Sequence, residues 1–123
     1  MFFFAIFARS EYIEITEANK KLIGGDRPIF VKFYSQNCGH CKAMAPDFAE
    51  ASTMSKDVDF GAVDCNAQDK ICKDYKIDGY PTLFLFDKGN VTGKEFKDHE
   101  RSVDGFIDFI EETISVKIPR PPK

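Results

Sequence analysis

The chain has 123 residues, of which 43% are hydrophobic and 30% charged, a size and apolar content that suit one compact domain with a real core. Its net charge of -3 argues against an electrostatic nucleic-acid binder, which would carry a basic stripe. Its apolar runs fall well short of the roughly 20 residues needed to cross a bilayer, so we expect no membrane span.

The first segment, Met1–Ala8, is almost entirely apolar and ends on a small side chain. It is open to two interpretations: the remnant of a secretory signal cleaved after Ala8, or a first strand or plain edge of the chain. On either interpretation we set residues 1–10 apart from the folded domain.

The first predicted elements surround an apolar strand. Tyr12–Ile15 is a short strand candidate, and Thr16 can cap a following helix that Gly24-Gly25 would stop, because its hydroxyl can accept a hydrogen bond from a free N–H of the first turn. Pro28–Tyr34 is nearly continuous in apolar and β-favouring residues, which predicts a central strand covered on both faces.

A long helix pattern follows from about Cys38 to Met54, and Pro46 inside it should kink it. The remaining candidates are three strands, the second and third joined by a turn, and two helices capped by Asn66 and Ser102. In chain order they cover 58–64, 66–75, 82–86, 91–96 and 102–114. The order β-α-β-α-β-α-β-β-α predicts an α/β fold in which a mixed sheet carries helices on both faces.

The tetrapeptide Cys38-Gly39-His40-Cys41 falls where a predicted strand meets a predicted helix. Two cysteines at this spacing in a first helical turn lie on one side and can close a disulfide. Free N–H groups and a partial positive charge at the helix start stabilise a thiolate, the nucleophile of disulfide exchange. We predict that Cys38 attacks, being nearest the helix start and more exposed, and that Cys41 resolves. His40 would favour the thiolate further and make the oxidised pair easier to reduce.

The same tetrapeptide has an alternative interpretation as half of a zinc site. Such a site needs a second pair of ligands, and Cys65 and Cys72 have the wrong spacing for one. We therefore expect redox chemistry without a metal or an organic cofactor.

Four motifs carry a resemblance to a known family. In chain order they are Phe33-Tyr34, Cys38–Lys42, Ala45-Pro46 and Gly79–Thr82. Together they resemble a catalytic domain of the protein disulfide isomerase family, which has the thioredoxin fold. The resemblance covers residues 11–116, and we interpret the Pro-rich segment 117–123 as an extended linker or tail.

The resemblance implies a thiol–disulfide oxidoreductase and isomerase that acts on protein clients in the lumen of the endoplasmic reticulum. It implies a monomeric domain whose redox partner is glutathione or an oxidase. The alternative is a chaperone or client-binding module of the same fold that turns over poorly.

The resemblance also implies roles for residues outside the tetrapeptide. Tyr80-Pro81 would be a cis peptide facing the active-site loop and helping to bind substrate, whereas the sequence alone favours a trans proline at the start of a strand. Arg101 would lower the pKa of the resolving cysteine, or else it is a solvated loop charge. His99 lies in the same charged stretch; we interpret it as a solvated loop histidine and assign it no role.

Two residues depart from the pattern of the family. Lys32 stands where the family usually has a Glu that moves the resolving cysteine's proton. It could act as a base if burial depresses its pKa, stay charged and stabilise the thiolate, or reach solvent and do nothing. Asn37 replaces a Trp, which removes apolar packing and makes the rim beside Gln36 more polar.

Cys65 and Cys72 flank the end of a strand and a short helix. They could form a disulfide if their side chains converge, as a subset of the family does, or remain two buried thiols. A structural disulfide would fit an oxidising compartment.

Overall fold

The computed structural model describes residues 12–122, so the N-terminal segment 1–10 lies outside the described residues. The strands are β1 (Tyr12–Glu14), β2 (Ile29–Tyr34), β3 (Asp59–Asp64), β4 (Thr82–Phe86) and β5 (Lys94–Glu95). The α-helices are α1 (Gly39–Ser52), α2 (Asp69–Asp74) and α3 (Val103–Thr113). No helix in this range is long and apolar enough to span a membrane.

The strands form one mixed sheet in the order β1-β3-β2-β4-β5. β1 and β2 run parallel to β3 on either side of it, whereas β4 is antiparallel to both β2 and β5. The register places Phe33 of β2 beside Val63 of β3 and Thr82 of β4. The carboxyl end of β2 therefore lies next to the first residue of β4, which brings two distant sequence motifs to one edge of the sheet.

Both faces of the sheet are covered, as the apolar run of β2 predicts. On one face, α1 and α3 pack over Phe30, whose ring lies 5.5–6.0 Å from five other phenylalanine rings. On the other face, Ile71 and Cys72 of α2 pack against Val31 and Phe33. The predicted mixed sheet with helices on both faces is confirmed.

The helix predicted after Thr16 is wrong, because only a single 3-10 turn forms at Lys20–Leu22. The Thr16 hydroxyl does accept a hydrogen bond from the N–H of Ala18, at 3.2 Å. However, the Asn19 side chain binds backbone groups before the predicted helix and favours a turn. Its Oδ1 accepts from the Thr16 N–H at 2.7 Å and its Nδ2 donates to the Glu14 carbonyl at 3.1 Å. Such local bonds hold the backbone in turns.

Two other boundaries differ from the sequence prediction. The last strand is only Lys94–Glu95, because the preceding Gly93 has a φ of 74° and a Cβ there would lie 2.6 Å from the Phe86 ring. Asn66 does not cap α2. Gln68 occupies that position, and the Asn66 side chain bonds to a different loop.

Residues 117–122 form no helix or strand, and part of this segment lies against α3. Ile118 is buried and its N–H donates to Glu111 Oε2 at 2.8 Å. Arg120 pairs with Asp104, Asp108 and Glu111 at 2.9, 2.6 and 3.2 Å. The segment that we interpreted as a linker thus packs on the domain at least as far as Arg120.

Candidate active site

The predicted redox motif lies at the start of α1, directly after β2. Cys38 is the N-cap of α1, and its Sγ accepts a hydrogen bond from the Cys41 N–H at 3.0 Å. The structure joins Cys38 to Cys41 in a disulfide whose Cα atoms are 5.2 Å apart. The sulfur of Cys38 therefore faces a free helical N–H and the positive end of the helix dipole, both of which stabilise a thiolate.

The two cysteines differ in exposure. Cys38 is half-buried, with Gly39 and His40 exposed beside it, whereas Cys41 is only 5% exposed and belongs to the packed side of α1. A protein thiol or disulfide can reach Cys38 far more easily than Cys41. The geometry thus fits an attacking cysteine followed by a resolving one.

The loop that leads into α1 is held by two residues that sequence reasoning did not single out for the site. Asn66 Oδ1 accepts from the Ser35 hydroxyl at 3.1 Å and the Gln36 N–H at 3.0 Å. Asp64 Oδ2 accepts from the Gln36 side chain at 2.7 Å. Asp64 is 9% exposed, and a polar group at the end of a buried strand was the signal that could have found it.

Tyr80 and Pro81 occupy the same edge of the sheet. The Tyr80–Pro81 peptide bond is cis, and Pro81 directly precedes β4, whose first residue, Thr82, pairs with Phe33 near the end of β2. Pro81 is buried, whereas Tyr80 is 44% exposed. Most large apolar side chains in the described residues are more buried than Tyr80. An exposed aromatic ring therefore flanks the edge at which the redox motif begins.

A cavity of about 270 Å³ opens beside the resolving cysteine. Its lining residues are Tyr12, Lys32, Tyr34, Ser35, Gln36, Cys41, Lys42 and Ala45. The cavity thus lies between β1, β2, the active-site loop and α1, with Cys41 in its wall.

Lys32 points into this packed region. It is 5% exposed, so the interpretation that it extends into bulk solvent is wrong. Burial lowers the pKa of its ammonium, and the carboxylate of Glu14 opposes that effect. Tyr34 donates to the same carboxylate at 3.0 Å, and burial together with Glu14 raises the pKa of that phenol.

Arg101 and His99 lie elsewhere. Arg101 is exposed in the bend before α3 and does not line the cavity that contains Cys41. His99 lies in the loop before α3, but it is not fully solvated, because its side chain is 19% exposed and its ring lies 5.8 Å from that of Phe109. Its Nε2 lies 3.2 Å from Glu112, so it belongs to the packing of α3.

The other cysteines are joined as well. Cys65 follows β3 and Cys72 lies in α2, and their disulfide brings the Cα atoms to 5.7 Å. Both are buried, and the Cys65 N–H donates to the Tyr34 carbonyl at 2.8 Å. In residues 12–122 no three His, Cys, Asp or Glu side chains cluster as a metal site would require.

Comparisons with known proteins agree with this geometry. The family model described as Thioredoxin matches residues 11–112. Protein disulfide-isomerase 1 of Dictyostelium discoideum is 38% identical over 109 residues, which are 82% of this chain and 30% of that protein. Probable protein disulfide-isomerase A6 of Medicago sativa is 33% identical over 125 residues, which are 97% of this chain and 34% of that protein.

A solved structure shares the fold. The J-Trx1 fragment of ERdj5 superimposes with a TM-score of 0.75 at 26% identity, covering 83% of this chain and 49% of that one. The chain spans about a third of the length of the two curated relatives. The chain belongs to the thioredoxin family and is a thioredoxin-fold domain of its protein disulfide isomerase branch.

Proposed function

We propose that this domain is a thiol–disulfide oxidoreductase and isomerase that acts on disulfides of protein clients. The observation that carries the proposal is the asymmetric pair at the start of α1, a half-buried Cys38 that caps the helix and a buried Cys41 bonded to it. The curated relatives at 33–38% identity that carry the isomerase name support the same activity.

In the proposed reaction, a client thiolate attacks Cys38 of the oxidised pair, and the Cys38–Cys41 bond breaks. A second client thiolate then displaces Cys38, so that the client gains a disulfide and the pair leaves as two thiols. In the reverse direction, the Cys38 thiolate attacks a client disulfide and Cys41 resolves the product. His40, exposed beside Cys38, would favour its thiolate electrostatically.

Tyr80 and Pro81 are the proposed client-binding residues. Support comes from the exposed Tyr80 ring and from the register, which sets the start of β4 beside the end of β2. An exposed aromatic side chain next to a redox centre offers apolar contact to an unfolded client. Arg101 remains a proposed modulator of the resolving cysteine, and it would have to move to reach the site.

We place the domain in the lumen of the endoplasmic reticulum, with glutathione or an oxidase as the redox partner. The buried Cys65–Cys72 disulfide supports an oxidising compartment, because structural disulfides persist there. Similarity to the J-Trx1 fragment of ERdj5 supports the same proposal.

Trapping tests the assigned order of the two cysteines. With a reduced Cys41→Ser variant and a disulfide-bonded client such as insulin, we expect a stable mixed disulfide through Cys38 in non-reducing mass analysis. The matched Cys38→Ser variant should trap little client, because Cys41 is buried, and it should lose insulin reduction. Equal trapping by both variants would overturn the order. A parent protein that reduces no insulin, with aggregation suppression retained in Cys38→Ser, would overturn the proposed enzyme activity and leave a client-binding module.

A further inference from the structure

A buried lysine shares the cavity with the resolving cysteine. Lys32 lies in the middle of β2, where its backbone pairs with Ala62 on one side and Leu83 on the other. It is 5% exposed, although long charged side chains are seldom buried this far. Lys32 and Cys41 both line the same cavity of about 270 Å³.

Aromatic rings surround the ammonium of Lys32. Its Nζ lies 4.9 Å from the ring centre of Tyr12, 5.3 Å from that of Tyr34 and 4.8 Å from that of Phe48. Ring faces attract a cation at these distances, and the attraction grows where water is excluded. The three rings therefore favour the charged form of Lys32 and restrict where its Nζ can lie.

The carboxylate of Glu14 partly offsets the charge of Lys32 but forms no ion pair with it in the described part of the chain. Glu14 raises the pKa of Lys32, against the larger lowering effect of burial, while its carboxylate accepts the hydroxyl of Tyr34. Within residues 12–122, no carboxylate forms an ion pair with Lys32. The ammonium is thus held by rings and remains available to a second anion in the cavity.

The groups that face Cys41 across the cavity are few. Lys32 comes from β2, Lys42 from α1, and the phenols of Tyr12 and Tyr34 from β1 and β2. Lys42 is exposed, so water screens its charge, whereas Lys32 is buried, where charges are screened much less. Cys41 is the lining residue whose sulfur becomes an anion when the disulfide opens and the thiol loses its proton.

We propose that Lys32 is a positioning residue whose ring-held ammonium stabilises the Cys41 thiolate and so promotes resolution of the mixed disulfide. The proposal rests on the proposed disulfide exchange. In that step Cys41 loses its proton to solvent, its thiolate attacks Cys38 Sγ, the Cys38–Cys41 bond forms and the Cys38–client bond breaks. The cysteine pair is oxidised, the client sulfur is reduced, and the client thiolate takes up a proton.

The pKa of the Cys41 thiol tests this role directly and requires no client. In a Cys38→Ser background with the Cys65–Cys72 disulfide intact, thiolate absorbance would be titrated with and without Lys32→Met. We expect the substitution to raise the Cys41 pKa by about one unit, since an opposite charge nearby lowers a pKa by one to three. Lys32→Arg should keep the pKa low, because it restores a cation.

Lys42→Met is the matched control. It removes a lysine from the same cavity, but an exposed one, and should raise the Cys41 pKa less than Lys32→Met does. If Lys32→Met does not fold, Lys32→Gln gives the same comparison with a polar head in the cavity. A Cys41 pKa that moves no more than in Lys42→Met, or that falls, would overturn the proposal even if the enzyme is active. If the Cys41→Ser variant forms no mixed disulfide with a client, the proposed enzyme activity itself would be overturned instead.

Discussion

The two sulfurs of the tetrapeptide occupy different surroundings although only two residues separate them. The sequence predicts this difference, because Cys38 stands at the helix start after an apolar strand and Cys41 lies one turn further in. The sequence does not predict the surroundings of Lys32. Its three ring contacts come from β1, β2 and α1, so they exist only once the sheet has formed.

The hydrogen bonds of Asn66 are decided by tertiary structure and not by its local sequence. The sequence places it before a short helix, where asparagine commonly caps, yet its side chain accepts two bonds from Ser35 and Gln36 instead. We expect Asn66→Ala to lower the free energy of unfolding by about 1 kcal/mol, measured by urea denaturation.

Asn37→Ala is the control for that measurement, since Asn37 is exposed in the same loop and its side chain makes no hydrogen bond within residues 12–122. It should leave stability almost unchanged. Equal losses in Asn66→Ala and Asn37→Ala would show that the two bonds do not hold the loop.

His99 should make stability depend on pH. The Lys97 carbonyl, and then Glu112, raise its pKa above the ordinary value. A raised folded pKa means that the stabilisation is complete below the unfolded pKa and is lost as pH rises through the folded one. We expect the free energy of unfolding to fall as the pH rises above about 6.5, the ordinary pKa of histidine.

In urea denaturation across that range, His99→Gln should remove most of this fall, because glutamine does not titrate. His40→Gln changes an exposed histidine and should leave the fall in place. A His99→Gln profile that still falls as in the parent protein would contradict the assignment to His99.

At the scale of elements, the prediction succeeds where burial imposes a pattern. β4 has the predicted bounds, β2 and β3 differ from theirs by one residue at the start, and the Ser102 hydroxyl caps α3 by accepting the Gly105 N–H at 3.0 Å. The prediction fails between Thr16 and Gly25, where side chains bond to nearby backbone and no long apolar face decides the outcome. Exposed segments show a weaker apolar periodicity, because their side chains do not have to pack against a core.

The segment after α3 allows burial to be weighed against ion pairing. Ile118 is 3% exposed, whereas Arg120 makes three ion pairs with partly exposed acids. In thermal or urea unfolding, Ile118→Ala should cost about 2–3 kcal/mol, because it leaves a cavity. Arg120→Ala should cost less than about 1 kcal/mol, because surface ion pairs contribute little.

The exposed Lys117→Ala serves as the control for both changes and should be near neutral. A larger loss in Arg120→Ala than in Ile118→Ala would mean that the charged clamp, rather than the buried side chain, holds this segment on α3.

The whole molecule is organised around the edge of the sheet where β2 ends. The parallel pairing with β3 brings Asp64 and Asn66 to that edge, and the antiparallel pairing with β4 brings Tyr80 and Pro81. Order along the chain predicts the strands, but only the register places these residues at the edge from which the chain continues to Cys38. The sequence therefore predicts the two cysteines of the candidate site well, but it predicts much less about the residues that surround the loop before them.

The reduction potential of the Cys38–Cys41 pair tests the proposed activity most directly. It would be measured on the intact chain, equilibrated in glutathione buffers, by mass analysis of the alkylated thiols. Because the helix start, His40 and the buried Lys32 all favour thiolates, we predict an oxidising pair with a potential near about -180 mV, as in disulfide isomerases. A potential near about -270 mV, typical of a reducing thioredoxin, or a pair that does not exchange with glutathione, would contradict the isomerase function.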